Sequence, residues 1–110
     1  MGTDDLMLLQ GTLDVLVLRA LAGGPQHGYA VARWIHDATD RALRVEDRAL
    51  YVALHRALAR GWVSASWGAS ENNRRARFYT LTRSGRRALA RNEQQWKNYV
   101  AAMTKALGRA

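Results

Sequence analysis

The stretch from 48 to 81 reads RALYVALHRALARGWVSASWGASENNRRARFYTL, and the spacing of its apolar residues changes once, near Gly61. Before that glycine, apolar residues recur every three or four positions, at Leu50, Tyr51, Leu54, Ala57 and Leu58. This period predicts a helix over 48–60, because it gathers the apolar side chains on one face. Asp47 is of a residue type that caps helix N-termini, and glycine suits the position after a helix C-terminus.

After Gly61 the apolar residues alternate with a period of two, which is typical of β-strands. The alternation covers 62–67 and returns over 77–81, while 68–75 consists of turn-forming, polar and cationic residues. We therefore predict a β-hairpin with a long, positively charged connection. Three guanidinium groups lie within four residues at this connection, those of Arg74, Arg75 and Arg77. With Asn73 beside them they favour contacts to phosphates, the alternative being a solvated, flexible hairpin tip.

Helical patterns flank this stretch on both sides. The other predicted helices cover 12–22, about 29–40 and 82–107. Thr12 and Thr82 are suitable N-cap residues for the first and last of them, and Gly23-Gly24-Pro25 closes the first.

The order of the predicted elements is helix, helix, helix, hairpin, helix. This is the order of a winged helix-turn-helix, a mainly α fold with a small β-hairpin. We assign residues 1–81 to a winged helix-turn-helix DNA-binding domain and residues 82–110 to a long C-terminal dimerisation helix.

Charge is distributed unevenly along the chain of 110 residues, whose formal net charge is +8. Residues 1–40 carry two basic and five acidic side chains, whereas residues 41–110 carry fifteen basic and four acidic ones. The second part therefore favours an anionic partner. The chain has no cysteine, which excludes a disulfide framework and Cys-ligated zinc. Because the longest aliphatic run ends at Arg19, we expect no membrane span. The first five residues are acidic where a signal peptide would be basic, so we expect a cytoplasmic location.

The predicted helix over 48–60 is the candidate for reading DNA. Its outward side is expected to carry Arg48, Tyr51, His55 and Arg56. A helix is about 10 to 12 Å across and fits the major groove, where arginine can bind the O6 and N7 atoms of guanine. The alternative interpretation of this helix alone is an ordinary solvated basic face.

The last predicted helix carries an apolar stripe that needs a partner. The stripe consists of Leu89, Trp96, Tyr99, Val100, Met103 and Leu107. A two-fold copy of the same helix is the commonest partner and would give a homodimer with two reading helices. The helix could instead fold back along its own domain. A membrane-surface helix is disfavoured because Glu93, Gln94 and Gln95 interrupt its cationic face.

Residues suited to catalysis are sparse in this sequence. The histidines, His27, His36 and His55, have neither the spacing of a metal pair nor an HExxH motif. No glycine-rich loop suits a phosphate, and Ser84-Gly85 fits a helix start better than a nucleophile elbow. We therefore expect no catalytic residue, no metal and no cofactor.

Several segments together resemble the PadR family of bacterial transcriptional regulators. They are LQGTLD at 9–14, GPQHGY at 24–29, LYVALHR at 50–56 and WGASENNRRARFY at 67–79. The resemblance spans about 8–90 and is similar to the short type of the family, with one C-terminal helix. It implies a cytoplasmic homodimer that represses transcription at a promoter and is released by an effector.

The resemblance also implies roles for particular residues. Tyr51 corresponds to the tyrosine of the family's reading helix, and Asn73, Arg74 and Arg75 correspond to its wing motif. The family usually has Gly, then Ser or Thr, before Leu-Tyr and Pro after it. This chain has Arg48, Ala49 and Val52 at those positions, so no operator sequence can be carried over.

Some members of the family bind planar aromatic ligands between the subunits, near a tryptophan of the C-terminal helix. Trp96 lies at a similar place in the sequence, so a small-molecule effector at the dimer interface is one interpretation. Ordinary interface packing explains the same tryptophan and is preferred.

Two rival functions remain open at this point. The basic face could bind RNA or a protein partner instead of duplex DNA. The chain could also be a small hydrolase that uses His27 or His55.

Overall fold

The computed structural model describes residues 11–109, which form four helices and three short strands. In chain order these are α1 (Thr12–Leu21), β1 (Gln26–His27), α2 (Gly28–Ala38), α3 (Asp47–Ala59), β2 (Val63–Ala69), β3 (Arg75–Leu81) and α4 (Arg83–Leu107). The strands form one antiparallel sheet in the order β1-β3-β2. The predicted mainly α fold with a small hairpin is confirmed. Residues 1–10 and 110, which belong to the predicted segments 1–81 and 82–110, lie outside the described residues, as do the first two residues of the motif at 9–14.

The ends of the helices agree with the sequence at two places. Gly61 has a φ of 75°, and its N–H donates to the carbonyl of Leu58 while the N–H of Trp62 donates to that of Ala57. This pair of bonds is a Schellman motif, and the positive φ explains the glycine. At the start of α4, Thr82 Oγ1 accepts the N–H of Gly85 at 3.0 Å, as predicted.

Two other predicted caps are wrong by one residue. The N-cap residues of α1 and α3 are Gly11 and Glu46, so Thr12 and Asp47 are the first helical residues. An acidic side chain within the first turn still favours the helix, because the peptide dipoles make that end positive. This accounts for Asp47 without a capping hydrogen bond.

The wing, defined as β2, β3 and the loop between them, has longer strands and a shorter connection than predicted. The strands pair as far as Ala69 opposite Arg75. The loop has five residues, 70–74, and turns tightly because Asn73 adopts a φ of 59° and its N–H donates to the carbonyl of Ser70 at 2.8 Å. Asparagine tolerates this left-handed conformation better than most residues, and it permits a tight turn where the sequence predicted a loop over 68–75.

The strand β1 was not predicted. Gln26 pairs with Tyr79 and His27 with Phe78. This pairing fixes the start of α2 against the base of the wing.

The core lies between α1, α2, α3, the base of the sheet and the start of α4. Its most fully buried side chains are Val17, Leu18, Leu21, Val31, Ile35 and Leu54. Leu89 joins this core with only 7 % of its surface exposed, so its assignment to the dimer interface is wrong. Gly85 lies against the backbone of Trp62, and a Cβ at that position would meet the Trp62 carbonyl oxygen. Within residues 11–109, no helix is long and apolar enough to cross a bilayer.

Candidate nucleic-acid interface

Helix α3 has one buried side and one open side. Leu50, Ala53, Leu54 and Ala57 face the core. Arg48, Tyr51 and His55 are exposed on the other side, with 58 % of Tyr51 accessible. The rings of Tyr51 and His55 lie 4.2 Å apart, as expected for residues four positions apart on a helix. Among the ion pairs of residues 11–109 none involves Arg48.

Arg56 does not lie on this open side. Its Nε is 3.2 Å from both carboxylate oxygens of Asp14 on α1, and its Nη2 is 2.7 Å from Oδ1. These hydrogen bonds, with a smaller contribution from the charge of Asp14, raise the pKa of the Arg56 guanidinium above its ordinary value. Arg60 approaches the same carboxylate at 3.7 Å. The structure therefore corrects the expectation for Arg56, whose guanidinium anchors α3 to α1.

Two arginines of the wing, Arg75 and Arg77, lie on one face of β3. Arg75 and Arg77 alternate with Ala76 along β3, so they share a face with the buried Tyr79. The Arg75 guanidinium lies 4.5 Å from the ring centroid of Trp67 on β2, and the Arg77 guanidinium lies 6.0 Å from that of Tyr79. Neither arginine forms an ion pair with a carboxylate among the described residues.

Arg74 lies in the loop itself, next to Asn73. Its side chain is exposed and forms no ion pair with another residue of the described chain. Asn73 shapes the loop through its backbone conformation. The tip of the wing is thus a compact turn that projects a cation with no ion-pair partner within residues 11–109.

A cleft of about 410 Å³ joins α3 to the wing. Tyr29, Tyr51 and Arg77 line it, together with Asp47 at the start of α3. The open side of α3 and the basic face of the wing therefore meet at one surface. Tyr29 is 70 % exposed there.

Trp67 and Tyr29 are the residues of this surface that the sequence analysis missed. Trp67 is 60 % exposed and was interpreted only as part of a strand pattern. The signal available for it was its position in the strand opposite a run of arginines, since tryptophan is the best aromatic partner for a guanidinium.

Two of the three histidines have contacts that the structure defines. His27 is the N-cap of α2, where its Nδ1 accepts the N–H of Ala30 at 3.3 Å. His55 packs against Tyr51 on α3. Among the described residues, no group of three His, Asp or Glu side chains is arranged to hold a metal ion.

The distal half of α4 leaves its apolar stripe uncovered. Trp96, Tyr99, Val100, Met103 and Leu107 are all exposed, in contrast to Leu89 near the start of the helix. The rings of Trp96 and Tyr99 lie 5.9 Å apart, and both border a cavity of about 480 Å³ between α4 and the start of α1.

Comparisons with known proteins agree with this geometry. A PadR family transcriptional regulator from Eggerthella lenta shares 28 % identity and a TM-score of 0.75, over 92 % of this chain and 86 % of that one. A transcriptional regulator from Clostridium thermocellum shows the same fold at a TM-score of 0.79 and 24 % identity, over 87 % of this chain and 93 % of that one. An uncharacterised protein of Lysinibacillus sphaericus is 21 % identical over 89 residues, which are 81 % of this chain and 82 % of that protein.

The family model for the transcriptional regulator PadR-like family matches residues 17–91, which include α2, α3, the wing and the start of α4. The fold is a winged helix-turn-helix followed by a long final helix. The chain therefore belongs to the PadR-like family of transcriptional regulators.

Proposed function

We propose that the protein is a repressor that binds a pseudo-palindromic operator in duplex DNA as a homodimer and is released by an effector. The observation that carries this proposal is the common surface of α3 and the wing. Arg48, Arg74, Arg75 and Arg77 are presented there without a carboxylate partner in the described chain. A concentration of unpaired cations favours a polyanion as the partner.

Helix α3 supplies the contacts to bases. Its open side has a width that suits the major groove, and Arg48 lies in its first turn, the part of a reading helix that meets base edges. The guanidinium of Arg48 can donate two hydrogen bonds to guanine. Tyr51 and His55 continue this side along the helix and meet the bases and the adjoining phosphates.

The wing supplies the contacts to phosphates. Arg74 projects from the loop, while Arg75 and Arg77 project from β3, and Asn73 keeps the loop compact. Each phosphate neutralised contributes about 0.9 to the salt slope of binding to B-DNA. These contacts fix the register of α3 on the duplex without reading its sequence.

The distal half of α4 supplies the dimer contacts. Its exposed stripe would be buried by a second copy related by a two-fold axis. The 25 residues of α4 extend over about 37 Å, which is comparable to the 34 to 36 Å between half-sites one helical turn apart. We therefore assign residues 1–81 to the DNA-binding domain and 82–110 to the dimerisation helix, acting in the cytoplasm.

The effector is proposed to act at the same interface. The cavity beside Trp96 and Tyr99 has aromatic walls on α4 and lies where α4 meets the start of α1. A ligand there would alter the position of the two reading helices relative to each other. No catalytic residue, metal or cofactor is part of the proposal.

Selection of bound sequences from random duplexes, using the full chain, tests this function. We expect an enriched site with two-fold symmetry and half-sites one helical turn apart, together with a dimer in analytical ultracentrifugation. Structured RNA should compete poorly, because the major groove of an A-form helix is too narrow for α3. Enrichment of no sequence, or equal competition by RNA, would contradict the proposal.

A further inference from the structure

Among the described residues, the tip of the wing forms ion pairs with the rest of the protein through one carboxylate, that of Glu71. Glu71 lies in the wing loop, and its two carboxylate oxygens face different partners. Oε1 lies 3.6 Å from Nε2 of His27, and Oε2 lies 3.6 Å from Nη2 of Arg33 on α2. Of the ion pairs within residues 11–109, these are the two that join the wing to another element.

Both partners of Glu71 are themselves held in place. Because Nδ1 of His27 accepts the N–H of Ala30, the neutral ring carries its hydrogen on Nε2, the atom that faces Glu71. The His27 ring also packs edge-on against Phe78, at 5.5 Å between centroids. The Arg33 guanidinium lies 5.4 Å from the ring centroid of Tyr29. The carboxylate thus meets two groups whose orientation is set by other contacts.

The position of this contact matters because the outer wing, residues 67–77, has few other contacts with the rest of the protein. Strand β1 pairs with β3 only at Phe78 and Tyr79, so the part from Arg75 to Arg77 is a two-stranded ribbon. Such ribbons twist more readily than wider sheets. A restraint at Glu71 therefore fixes the distance between the arginines of β3 and the open side of α3.

The charge of Glu71 makes the inference testable. An acidic side chain between α2 and the arginines of the wing repels phosphates, so charge alone predicts that its removal strengthens binding to every DNA. We propose instead that Glu71 is a positioning residue for DNA recognition. It holds the wing at the distance from α3 at which both contact one operator. This inference rests on the proposed function.

The first experiment compares the full-chain variants Glu71→Gln and Arg33→Gln on the selected operator and on a scrambled duplex. The two substitutions change the charge in opposite directions, and both break the ion pair between Glu71 and Arg33, while Glu71→Gln also weakens the contact with His27. Each should lower the ratio of operator to scrambled affinity, by about fivefold at most for exposed ion pairs. The double variant should lower the ratio no further than Glu71→Gln alone, because that variant has already lost the ion pair with Arg33.

Glu46→Gln is the matched control. Glu46 is an exposed carboxylate at the N-cap of α3 with no side-chain capping bond, and its substitution removes the same charge near the same surface. It should strengthen binding to both duplexes alike and leave their ratio unchanged. If Glu71→Gln behaves as Glu46→Gln does, Glu71 acts only through its charge and the inference is overturned.

The second experiment needs no DNA and separates this inference from the proposed function. The backbone N–H groups of Ser70 and Asn73 are bonded across the wing loop. Their hydrogen exchange should become about fivefold faster in Glu71→Gln and in Arg33→Gln, while that of Leu54 in α3 stays unchanged. Unchanged exchange at the loop would overturn the positioning role even if wild-type protein binds its operator. Faster exchange without operator binding would support the restraint and refute the DNA-binding function.

Discussion

Helix α3 and the wing present their cations to the same surface, but they are attached to the protein in different ways. Helix α3 buries four residues in the core, and Arg56 ties it to Asp14 of α1 by three hydrogen bonds. The outer wing is a two-stranded ribbon, and within residues 11–109 its ion pairs to another element are those of the exposed Glu71.

This difference indicates how the two regions share the work of recognition. Hydrogen bonds to base edges weaken steeply when their distance or angle changes, and α3 is held by its buried residues in the core. Phosphates can be met over a wider range, because a charge interaction falls off slowly with distance. We therefore expect substitutions that disturb α3 to change stability and sequence preference, and substitutions of the phosphate-binding arginines of the wing to change affinity for all duplexes alike. Glu71 is not one of these arginines, and its substitution is expected to lower the preference for the operator.

The largest effect is expected for Leu54→Ala. Leu54 is 2 % exposed at the centre of α3, and its truncation leaves a cavity in the core. The free energy of unfolding should fall by about 2 to 5 kcal/mol, measured by urea denaturation. Ser66→Ala, at an exposed position of β2, is the control in the wing. It should change the free energy of unfolding by less than about 0.5 kcal/mol. Similar losses in the two variants would contradict the difference between the regions.

Next in size is the double variant Arg74→Ala with Arg75→Ala. Binding should weaken by about 3 kcal/mol on operator and scrambled duplexes alike, because charged hydrogen bonds to phosphates are lost. The slope of log K against log salt should fall by up to about 2. Arg86→Ala with Arg87→Ala removes the same charge from α4 and should change the slope much less. An equal change in both double variants would show that net charge, not the wing, sets the slope.

Arg48→Ala tests the other region. The loss of a bidentate contact to guanine should cost about 1 to 3 kcal/mol on the operator and relax the preference at one base pair of each half-site. To measure this, the affinity of Arg48→Ala for the operator is compared with its affinities for operators changed at single base pairs. An equal loss on operator and scrambled duplexes would place Arg48 on a phosphate instead.

The fold could be predicted from the sequence where the determinants are local. The change of period at Gly61 and the caps at Gly61 and Thr82 are properties of neighbouring residues, and each was confirmed. Strand β1 could not be predicted, because two residues show no alternation and their pairing depends on β3, about 50 residues later in the chain.

The site was predicted less completely, for the same reason. Arg56 was expected on the open side of α3, but it is held by Asp14, which is 42 residues away in sequence. Leu89 follows the same apolar stripe as Trp96, yet the start of α4 is covered by its own domain and the distal half is not. Periodicity shows which residues share a face, and only the packed chain shows what covers that face.

Trp67→Leu should have a smaller effect that is confined to the wing. Leucine keeps an apolar side chain in β2 but removes the ring on which the Arg75 guanidinium lies. Because an exposed cation–π contact contributes about 0.5 to 1 kcal/mol, affinity for both duplexes should fall by about two- to fivefold. In the Arg75→Ala background the same substitution should have no further effect. A full loss in that background would mean that Trp67 meets the DNA directly.

The smallest effect is expected in the acid titration of Glu71. The contact with His27, and then the charge of Arg33, lower the pKa of Glu71 below its ordinary value of 4.5. A lowered pKa means that folding favours the charged form, so the contact stabilises the wing above pH 4.5 and is lost as the pH falls through the folded pKa. Arg33→Gln should raise the pKa of Glu71 only part of the way towards 4.5, because the His27 contact, the larger cause, remains. Carboxyl-detected NMR titration measures both values, and an unchanged pKa in Arg33→Gln would show that the outer wing stands free of α2 in solution.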